Sequence, residues 1–505
     1  MTTAVSENNI SRIVGYAIAK GDFRTETSNL PQRIALLGEA NTANQSSLST
    51  DAQQITSAKQ AGDLFGYGSP LHSMARILFP IFGSGVGSIP VIVFPQLEAG
   101  VASVNTITVT GTATKNVTHK MYISGRDIID GSSYDINIVT GDDQDDVALK
   151  IKNAIDSVLQ CPVTAVNAAA VTTITAKWTG LTSNEITVRF DTQGEDAGLS
   201  YAFANTVEGS GTPSLTTSLG KFGDEWNTIV INPYGEPAFA ELEAFNGVPS
   251  DNPTGRYEGI VFMPFVAIWG SKLDTVTALQ GITDIAARTD QVTNALAPAP
   301  NSEGFSFEAA ANMTVLYANM CQDNPNLDVS GKSYPDMPIP YDNDIGDMSS
   351  YANRDILVAS GSSTVKLNSG KYEVQDFVTT YHPEGEIPPQ FRYPRNLNID
   401  FNVKYGYRLL ELINVVDHSI AASDQAVVAG KVIKPKQWQA IIDAYADDLA
   451  KRNLTVDPSF MQESIVVAIS ETNPDRLNTL FSYKRSGYVR IAATVAEAGF
   501  AFGVI

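Results

Sequence analysis

The sequence of 505 residues is poor in the side chains from which metal sites, redox sites and disulfide frameworks are built. It contains two cysteines, Cys161 and Cys321, and four scattered histidines. Two cysteines far apart in sequence suggest a reducing compartment and are typical of small buried side chains. No histidine has a second His or Cys at metal-site spacing. We therefore predict no metal centre and no cofactor.

The chain also lacks long apolar runs. No run of 18 or more apolar residues occurs, which excludes a transmembrane helix of ordinary length. The first residues do not show the basic and then apolar order of a signal peptide. We therefore expect no membrane insertion.

Positive charge is scarce, with 34 Lys and Arg against 55 Asp and Glu. A net charge of −21 argues against direct nucleic-acid binding, which normally requires a basic face. The acid is concentrated at 222–350, which has 18 acidic and 4 basic residues, whereas 351–505 has 17 and 16. This distribution suits a chain that assembles with its own copies. A solvated acidic surface is the alternative.

Catalytic motifs are missing as well. The glycines of "FGSGVGS" (82–88) follow a helix and precede a strand, which is the reverse of a nucleotide-binding loop. "SGKS" (330–333) lacks the first glycine of a P-loop, because position 326, six before the lysine, is Asn. The acids at 142–146 lack the Gly and closing Glu of a calcium loop, and capping of the following helix explains them. We predict that the protein is not an enzyme.

The pattern that is present indicates an α/β domain interrupted by a second domain. Buried-type strands such as "RIALLGE" and "NTIVINP" alternate with helices over 26–100 and 215–350, which predicts one discontinuous domain. Between them, 101–205 contains short Thr/Val/Ile alternations and one helix candidate, which predict an inserted, mostly β domain. The fold class expected is a mixed α+β and α/β multidomain protein.

A C-terminal domain is predicted at 351–486. "TVKLNSGKYEVQDFVTTY" has the signature of a hairpin with a Gly turn. Helices are predicted for "YGYRLLELINVVDHSIAAS" (405–423), for "KPKQWQAIIDAYADDLAKRN" with its apolar stripe through Trp438, and for "NPDRLNTLF" (473–481). "SIVVAISE" is predicted as a strand.

Both ends of the chain are predicted to be extended arms, at 1–25 and 487–505. Each alternates like a strand but is apolar on both faces, which indicates a strand covered on two sides. An uncovered apolar strand invites aggregation, so we expect that another copy of the chain covers it.

Several segments resemble contractile-tail sheath proteins. They are "ANRDILVASGSSTVKL", "VQDFVTTY", "FRYPRNLNIDFNVKYGYRLLELINV", the Trp438 helix and "SIVVAIS" before a terminal strand. The arm followed by "PQRIALLGEA" resembles the Mu-like branch of phage tail sheaths. The resemblance covers roughly 10–100 and 215–505.

The resemblance implies a structural, non-enzymatic protein of the virion tail, assembled in the host bacterial cytoplasm. Sheath subunits form sixfold rings stacked around a tail tube, and contraction drives the tube through the host envelope. The implied partners are other copies, the tail tube protein, and baseplate and tail terminator proteins. The alternatives are the sheath of a headless contractile injection particle or tailocin and, from another class, a multidomain enzyme or carbohydrate-binding protein.

The resemblance also implies roles for particular segments. The two arms would add strands to another subunit's C-terminal sheet, built from 356–380 and 464–470. The 101–205 domain would face outward, and 351–486 would face the tube through the 406–418 helix or the Trp438 helix. The residues implied are Ile13, Val14, Tyr16 and Ile18 for the N-terminal arm strand, Tyr488, Val489, Arg490 and Ile491 for the C-terminal arm strand, and Lys434, Lys436, Lys451 and Arg452 for contacts with the tube. For the last four, ordinary helix-end charge is the alternative.

Overall fold

The computed structural model describes residues 28–498 and divides the chain into two compact units. Of these residues, the larger unit takes Asn29–Tyr405, Asn453–Val456 and 484–498. The smaller unit takes Gly406–Arg452 and Asp457–Tyr483. Within 28–498, no helix combines the length and the apolar character needed to cross a membrane.

The larger unit begins with strands and helices of the predicted α/β type. The two longer strands are buried at every position, as expected for strands covered on both faces. Ser57 and Ser69 cap the two helices by accepting hydrogen bonds from backbone N–H groups of the first turn. The elements are β1 (Ile34–Glu39), β2 (Gln53–Ile55), α1 (Ala58–Phe65), α2 (Pro70–Leu78) and β3 (Val91–Gln96).

The next region forms sheets of its own. The elements are β4 (Val104–Gly111), β5 (Val117–Ile123), β6 (Ile128–Ile129), β7 (Ser132–Ser133), β8 (Asp135–Ile138), α3 (Gln144–Ser157), β9 (Val163–Ala168), β10 (Val171–Ala176), β11 (Val188–Asp191) and β12 (Leu199–Val207). A four-stranded sheet has the order β12-β4-β10-β9, and a three-stranded sheet has the order β11-β5-β8. Burial alternates along β4 and β10, and α3 packs on this sheet. The apolar core of this region is continuous with that of the α/β elements.

The α/β pattern then resumes and completes the first sheet. The elements are α4 (Thr216–Gly220), β13 (Ile229–Asn232), α5 (Phe239–Asn246), β14 (Val266–Ser271), α6 (Val276–Thr283), β15 (Asn294–Pro298) and α7 (Ser306–Asp323). The sheet has the order β15-β14-β13-β1-β3-β2, and only β2 runs antiparallel to its neighbour. Alternate residues of β1, such as Leu36 and Leu37, belong to two apolar clusters, because both faces of the sheet are covered.

After α7 the chain forms a loop with one short 3-10 turn at Gly346–Ser349. The following elements are α8 (Tyr351–Ala359), β16 (Thr364–Asn368), β17 (Lys371–Asp376) and α9 (Pro394–Asn414). The predicted Gly-turned hairpin is confirmed in β16–β17. The boundaries predicted for the next helix were wrong, since α9 starts at Pro394 and ends at Asn414 rather than spanning 405–423. Proline is favoured in the first turn, where its missing N–H is not needed.

The smaller unit contains the last residues of α9, a parallel pair of short strands, two further helices and a hairpin. Its elements are β18 (Ser419–Ile420), β19 (Val432–Ile433), α10 (Pro435–Lys451), α11 (Pro458–Ser464), β21 (Val466–Ile469) and β22 (Leu477–Leu480). The two remaining strands, β20 (Thr455–Val456) and β23 (Lys484–Arg485), pair with each other in the larger unit.

The apolar stripe of α10 is confirmed, but the helix predicted at 473–481 was wrong. Trp438, Ile442 and Leu449 are buried along α10. The 473–481 segment is instead a turn followed by β22. Asn473 Oδ1 accepts a hydrogen bond from the Asp475 N–H, and Ser470 N–H donates to the Arg476 carbonyl. These bonds compete with helix formation, as asparagine side chains commonly do.

The coarse fold class is confirmed, because the described residues form a mixed α/β chain with several separate sheets. The predicted domain boundaries do not coincide with the two compact units. The 351–486 segment contributes to both, and 101–205 shares its core with the α/β elements.

Candidate assembly sites

The hairpin β21–β22 is a two-stranded antiparallel sheet in the smaller unit. Val466 lies opposite Leu480 and Val467 opposite Thr479. The hairpin packs on α10, where the Trp438 Nε1–H donates to Thr479 Oγ1 at 3.1 Å. The Tyr407 ring lies 5.6 Å from the Trp438 ring and 5.3 Å from the Phe481 ring, so aromatic contacts hold this end of the hairpin.

Both outer edges of this hairpin are open within the described residues. No third strand pairs with β21 or with β22 there. The opposed pair Val466 and Leu480 is 57% and 66% exposed, although both side chains are large and apolar. A short strand pair with free N–H and C=O groups on both edges can accept further strands.

The hairpin β16–β17, in contrast, is covered by its own chain. The segment 331–334 runs along β17, with Gly331 N–H donating to the Val374 carbonyl and Val374 N–H to the Lys332 carbonyl, at 2.8 and 2.9 Å. Val365 and Tyr372 are fully buried. The prediction that 356–380 and 464–470 form one receiving sheet is wrong, because they form two separate two-stranded sheets.

The predicted C-terminal arm strand is not a strand in the single chain. Residues 486–498 are assigned neither helix nor strand. Val489 and Ile491 are 81% and 85% exposed, whereas Tyr488 and Arg490 point toward neighbouring side chains. The predicted N-terminal arm residues Ile13, Val14, Tyr16 and Ile18 lie outside the described residues.

Arg490 is held by two carboxylates and an aromatic ring of the larger unit. Its guanidinium forms ion pairs with Asp328 and, at 3.4 Å, with Asp376. It also lies 3.6 Å from the centroid of the Tyr393 ring, in cation–π geometry. Burial raises the pKa of Asp376, and the positive charge of Arg490 opposes that shift.

Three further contacts fix the chain immediately before Arg490. β23 pairs with β20, and Arg485 forms a bidentate ion pair with Asp400 at 2.7 and 2.6 Å. The guanidinium of Arg395 donates to the Ser486 carbonyl and to Ser486 Oγ, both at 2.8 Å. Burial lowers the pKa of Arg395. Beside these residues lies a cleft of about 630 Å³, lined by Glu386, Ile387, Pro388, Pro389, Gln390, Tyr393, Arg395, Asn396, Arg485, Ser486, Gly487, Tyr488 and Arg490.

The sequence gives no signal for these partners. Asp328 lies 162 positions before Arg490, in the loop that follows α7. Neither the spacing nor the local pattern of the carboxylates distinguishes them from the many other acids of the chain.

The four residues predicted to contact a tube lie at the two ends of α10. Lys436 and Lys451 are exposed, whereas Lys434 Nζ donates to the Gln425 carbonyl. Arg452 forms an ion pair with Asp448 at 3.6 Å. The helix is about 25 Å long, so these charges form two separate patches rather than one.

The described residues contain no group of three or more metal-ligating side chains placed to hold an ion. The acidic cluster caps α3 as predicted, since Asp143 accepts from the backbone N–H groups of Asp145 and Asp146. In the "SGKS" segment (330–333), the Gly331 N–H donates to the Val374 carbonyl of β17 and is not free to bind a phosphate. Among the histidines, burial lowers the pKa of His72 to about 4, so it is neutral near pH 7.

Glu39, at the end of β1, is the most unusual acid of the larger unit. It is 1% exposed, and neither carboxyl oxygen has a hydrogen bond of normal geometry to the described residues. Burial raises its pKa to about 8; the nearby Ala99 backbone N–H opposes this shift, and the charge of Glu98 adds to it. The side chain is therefore largely protonated near pH 7.

No family model matches the chain. A curated relative does: the Mu-like prophage FluMu tail sheath protein of Haemophilus influenzae is 25% identical over 502 residues, which cover 97% of this chain and 98% of the relative. The chain is homologous to a Mu-like phage tail sheath protein. This homology confirms the prediction of a contractile tail sheath protein, which is a structural and non-enzymatic component of the virion tail.

Solved tail sheaths are also similar to this chain. The sheath tail protein of Desulfitobacterium hafniense aligns with a TM-score of 0.42 and 11% identity, over 93% of this chain and 100% of that chain. The helical sheath of the anti-feeding prophage in its contracted state aligns with a TM-score of 0.37 and 10% identity, over 97% and 100%.

Proposed function

We propose that copies of this chain are joined by strand addition at the β21–β22 hairpin and stack as sixfold rings around a tail tube. The observation that carries this proposal is a hairpin with two open edges in a chain homologous to a tail sheath protein. The two edges would each take one strand from another copy, one from the N-terminal arm and one from the C-terminal arm.

Strand addition suits a sheath that contracts. Main-chain hydrogen bonds hold the added strand, and their strength depends little on which side chains neighbour it. Subunits linked in this way can rotate and slide during contraction while the link between them stays intact. Exposed apolar side chains such as Val466 and Leu480 give the added strands apolar neighbours.

The remaining parts of the chain take complementary roles in this proposal. The 101–205 region faces outward from the sheath, and the C-terminal domain faces the tube. The exposed Lys436 and Lys451 at the ends of α10 are the candidates for contacts with the tube protein. Baseplate and tail terminator proteins lie at the two ends of the stack.

Negative-stain electron microscopy of the purified chain, alone and with tube protein, tests the proposal. We expect stacked rings or tubes that enclose the tube protein when it is present. A chain that stays monomeric at high concentration with and without tube protein would contradict the proposal.

A further inference from the structure

The C-terminal segment changes character sharply after Arg490. From Lys484 to Arg490 the chain is held by strand pairing, by ion pairs and by backbone acceptors of Arg395. From 491 to 498 every residue is exposed, and none forms a hydrogen bond or ion pair with the described residues. The two parts are adjacent in sequence, and the change from many contacts to none marks the boundary between them after Arg490.

Arg490 is the last of these attachments along the chain. Its partner Asp328 has a side chain only 3% exposed, and Asp328 Oδ1 also accepts from the Ser330 N–H and hydroxyl at 3.1 Å. Removing the arginine would leave this buried carboxylate without its counter-charge, which is strongly destabilising. The Tyr393 ring adds a cation–π contact that a neutral side chain cannot replace.

Side chains on either side of Arg490 show where the attachment ends. Val489 is 81% exposed, although its neighbours Tyr488 and Arg490 contact Arg395, Tyr393 and Asp328. Val495 is 92% exposed in the part without contacts. These two valines are similar in chemistry and exposure, and they differ in whether the backbone beside them is attached.

We propose that residues 484–490 are a fixed root of the C-terminal arm, locked by the Arg490–Asp328–Asp376–Tyr393 cluster, and that the strand donated to another copy begins at Ile491. The proposal rests on the proposed function, since a root is needed only if the arm is shared between copies. Tension along the arm then ends at Arg490 and is passed to the larger unit through Asp328. Tyr488 and Arg490 therefore belong to the root and not to the donated strand.

Spin labels at the two valines test this directly in the full-length chain. Val489→Cys and Val495→Cys are labelled singly, since the natural Cys161 and Cys321 are buried. In the unassembled subunit we expect the label at 489 to have a rotational correlation time about threefold longer than the label at 495. On assembly, the label at 495 becomes immobilised and the label at 489 changes little.

Arg490→Gln in the Val489→Cys background tests whether Arg490 holds the root in place. We expect the label at 489 to become as mobile as the label at 495, and Arg490→Lys to give an intermediate mobility because it keeps the charge and loses the planar stacking. Arg408→Gln is the matched control, because Arg408 forms an exposed ion pair with Glu411 in the smaller unit. It should leave the label at 489 unchanged.

Equal mobility of the two labels in the unassembled wild-type background would overturn the proposal, as would an unchanged label at 489 in Arg490→Gln. A failure of the proposed function gives a different result. In that case the label at 495 stays mobile at every protein concentration, while the difference between 489 and 495 persists in the single subunit.

Discussion

Two hairpins of similar length in this chain differ in what lies along their edges. β16–β17 is flanked by the chain's own segment 331–334, and its central side chains are fully buried. β21–β22 has no third strand within the described residues and exposes an opposed apolar pair, Val466 and Leu480. The first hairpin is a finished part of a folded unit, and the second is a sheet that another chain can extend.

The difference shows how a subunit can be stable alone and still be incomplete. A sealed hairpin contributes to folding, because its apolar side chains are buried and its β17 edge is paired within one chain. An open hairpin satisfies the same groups with water until a partner strand replaces that water. Under the proposed function, stability and assembly are carried by different hairpins, and substitutions should separate the two.

The largest expected effect comes from removing the segment proposed to pair with the open hairpin. Deletion of 491–505 should abolish tube formation and leave the thermal unfolding midpoint of the subunit unchanged, because residues 491–498 make no polar contacts with the described residues. Electron microscopy and calorimetry give the two readouts. Tubes built by the truncated chain would show that this arm does not join the subunits.

Placing a carboxylate in each hairpin compares them directly. Val365→Asp in the sealed hairpin should lower the free energy of unfolding by about 3–5 kcal/mol, because the charge is buried without a partner. Val466→Asp in the open hairpin should change it by less than about 0.5 kcal/mol but block tube formation. Chemical denaturation measures both values. If Val466→Asp destabilised the subunit as much as Val365→Asp, the hairpins would not differ as described.

The larger unit, which contains the sealed hairpin, should also respond to pH through Glu39. Its folded-state pKa of about 8 lies above its usual value of 4.5, so the stabilisation is complete below pH 4.5 and is lost as pH rises through 8. At about 1.4 kcal/mol per pH unit, we expect a loss of roughly 4 kcal/mol between pH 5 and pH 8. Glu39→Gln should flatten this dependence, as measured by denaturation across that range. A slope that Glu39→Gln does not change would assign the dependence to other groups.

The smallest effect is expected at the exposed ends of α10, beside the open hairpin in the smaller unit. Lys436→Glu and Lys451→Glu should leave the unfolding midpoint and the pairing of copies unchanged. Each should weaken co-assembly with tube protein by a few-fold, and more at low salt than at high salt. Co-sedimentation at two salt concentrations measures this. Unchanged co-sedimentation would show that these lysines do not contact the tube protein and are ordinary helix-end charges.

Sequence patterns predicted what depends on local periodicity. The buried strands β1 and β13, the β16–β17 hairpin and the apolar stripe of α10 follow from residue spacing. The helix predicted at 473–481 failed because Asn473 and Pro474 set a turn, and the pairing of β22 with β21 overrides the helical spacing.

The root of the C-terminal arm could not be predicted in the same way. Arg490 was expected to lie in an arm strand because it alternates with Val489 and Ile491. Its partners Asp328 and Asp376 come from segments that fold beside it only in three dimensions, and a chain with 55 acids offers no means of choosing among them.

The central claim is that the arm of one copy lies on the open hairpin of another copy. Chains carrying Val495→Cys are mixed with chains carrying Val466→Cys, allowed to assemble, and treated with a short bismaleimide cross-linker. We predict a covalent dimer that contains one chain of each kind, formed in tubes and absent from unassembled subunits. Tubes that form normally and yield no such dimer would contradict the claim.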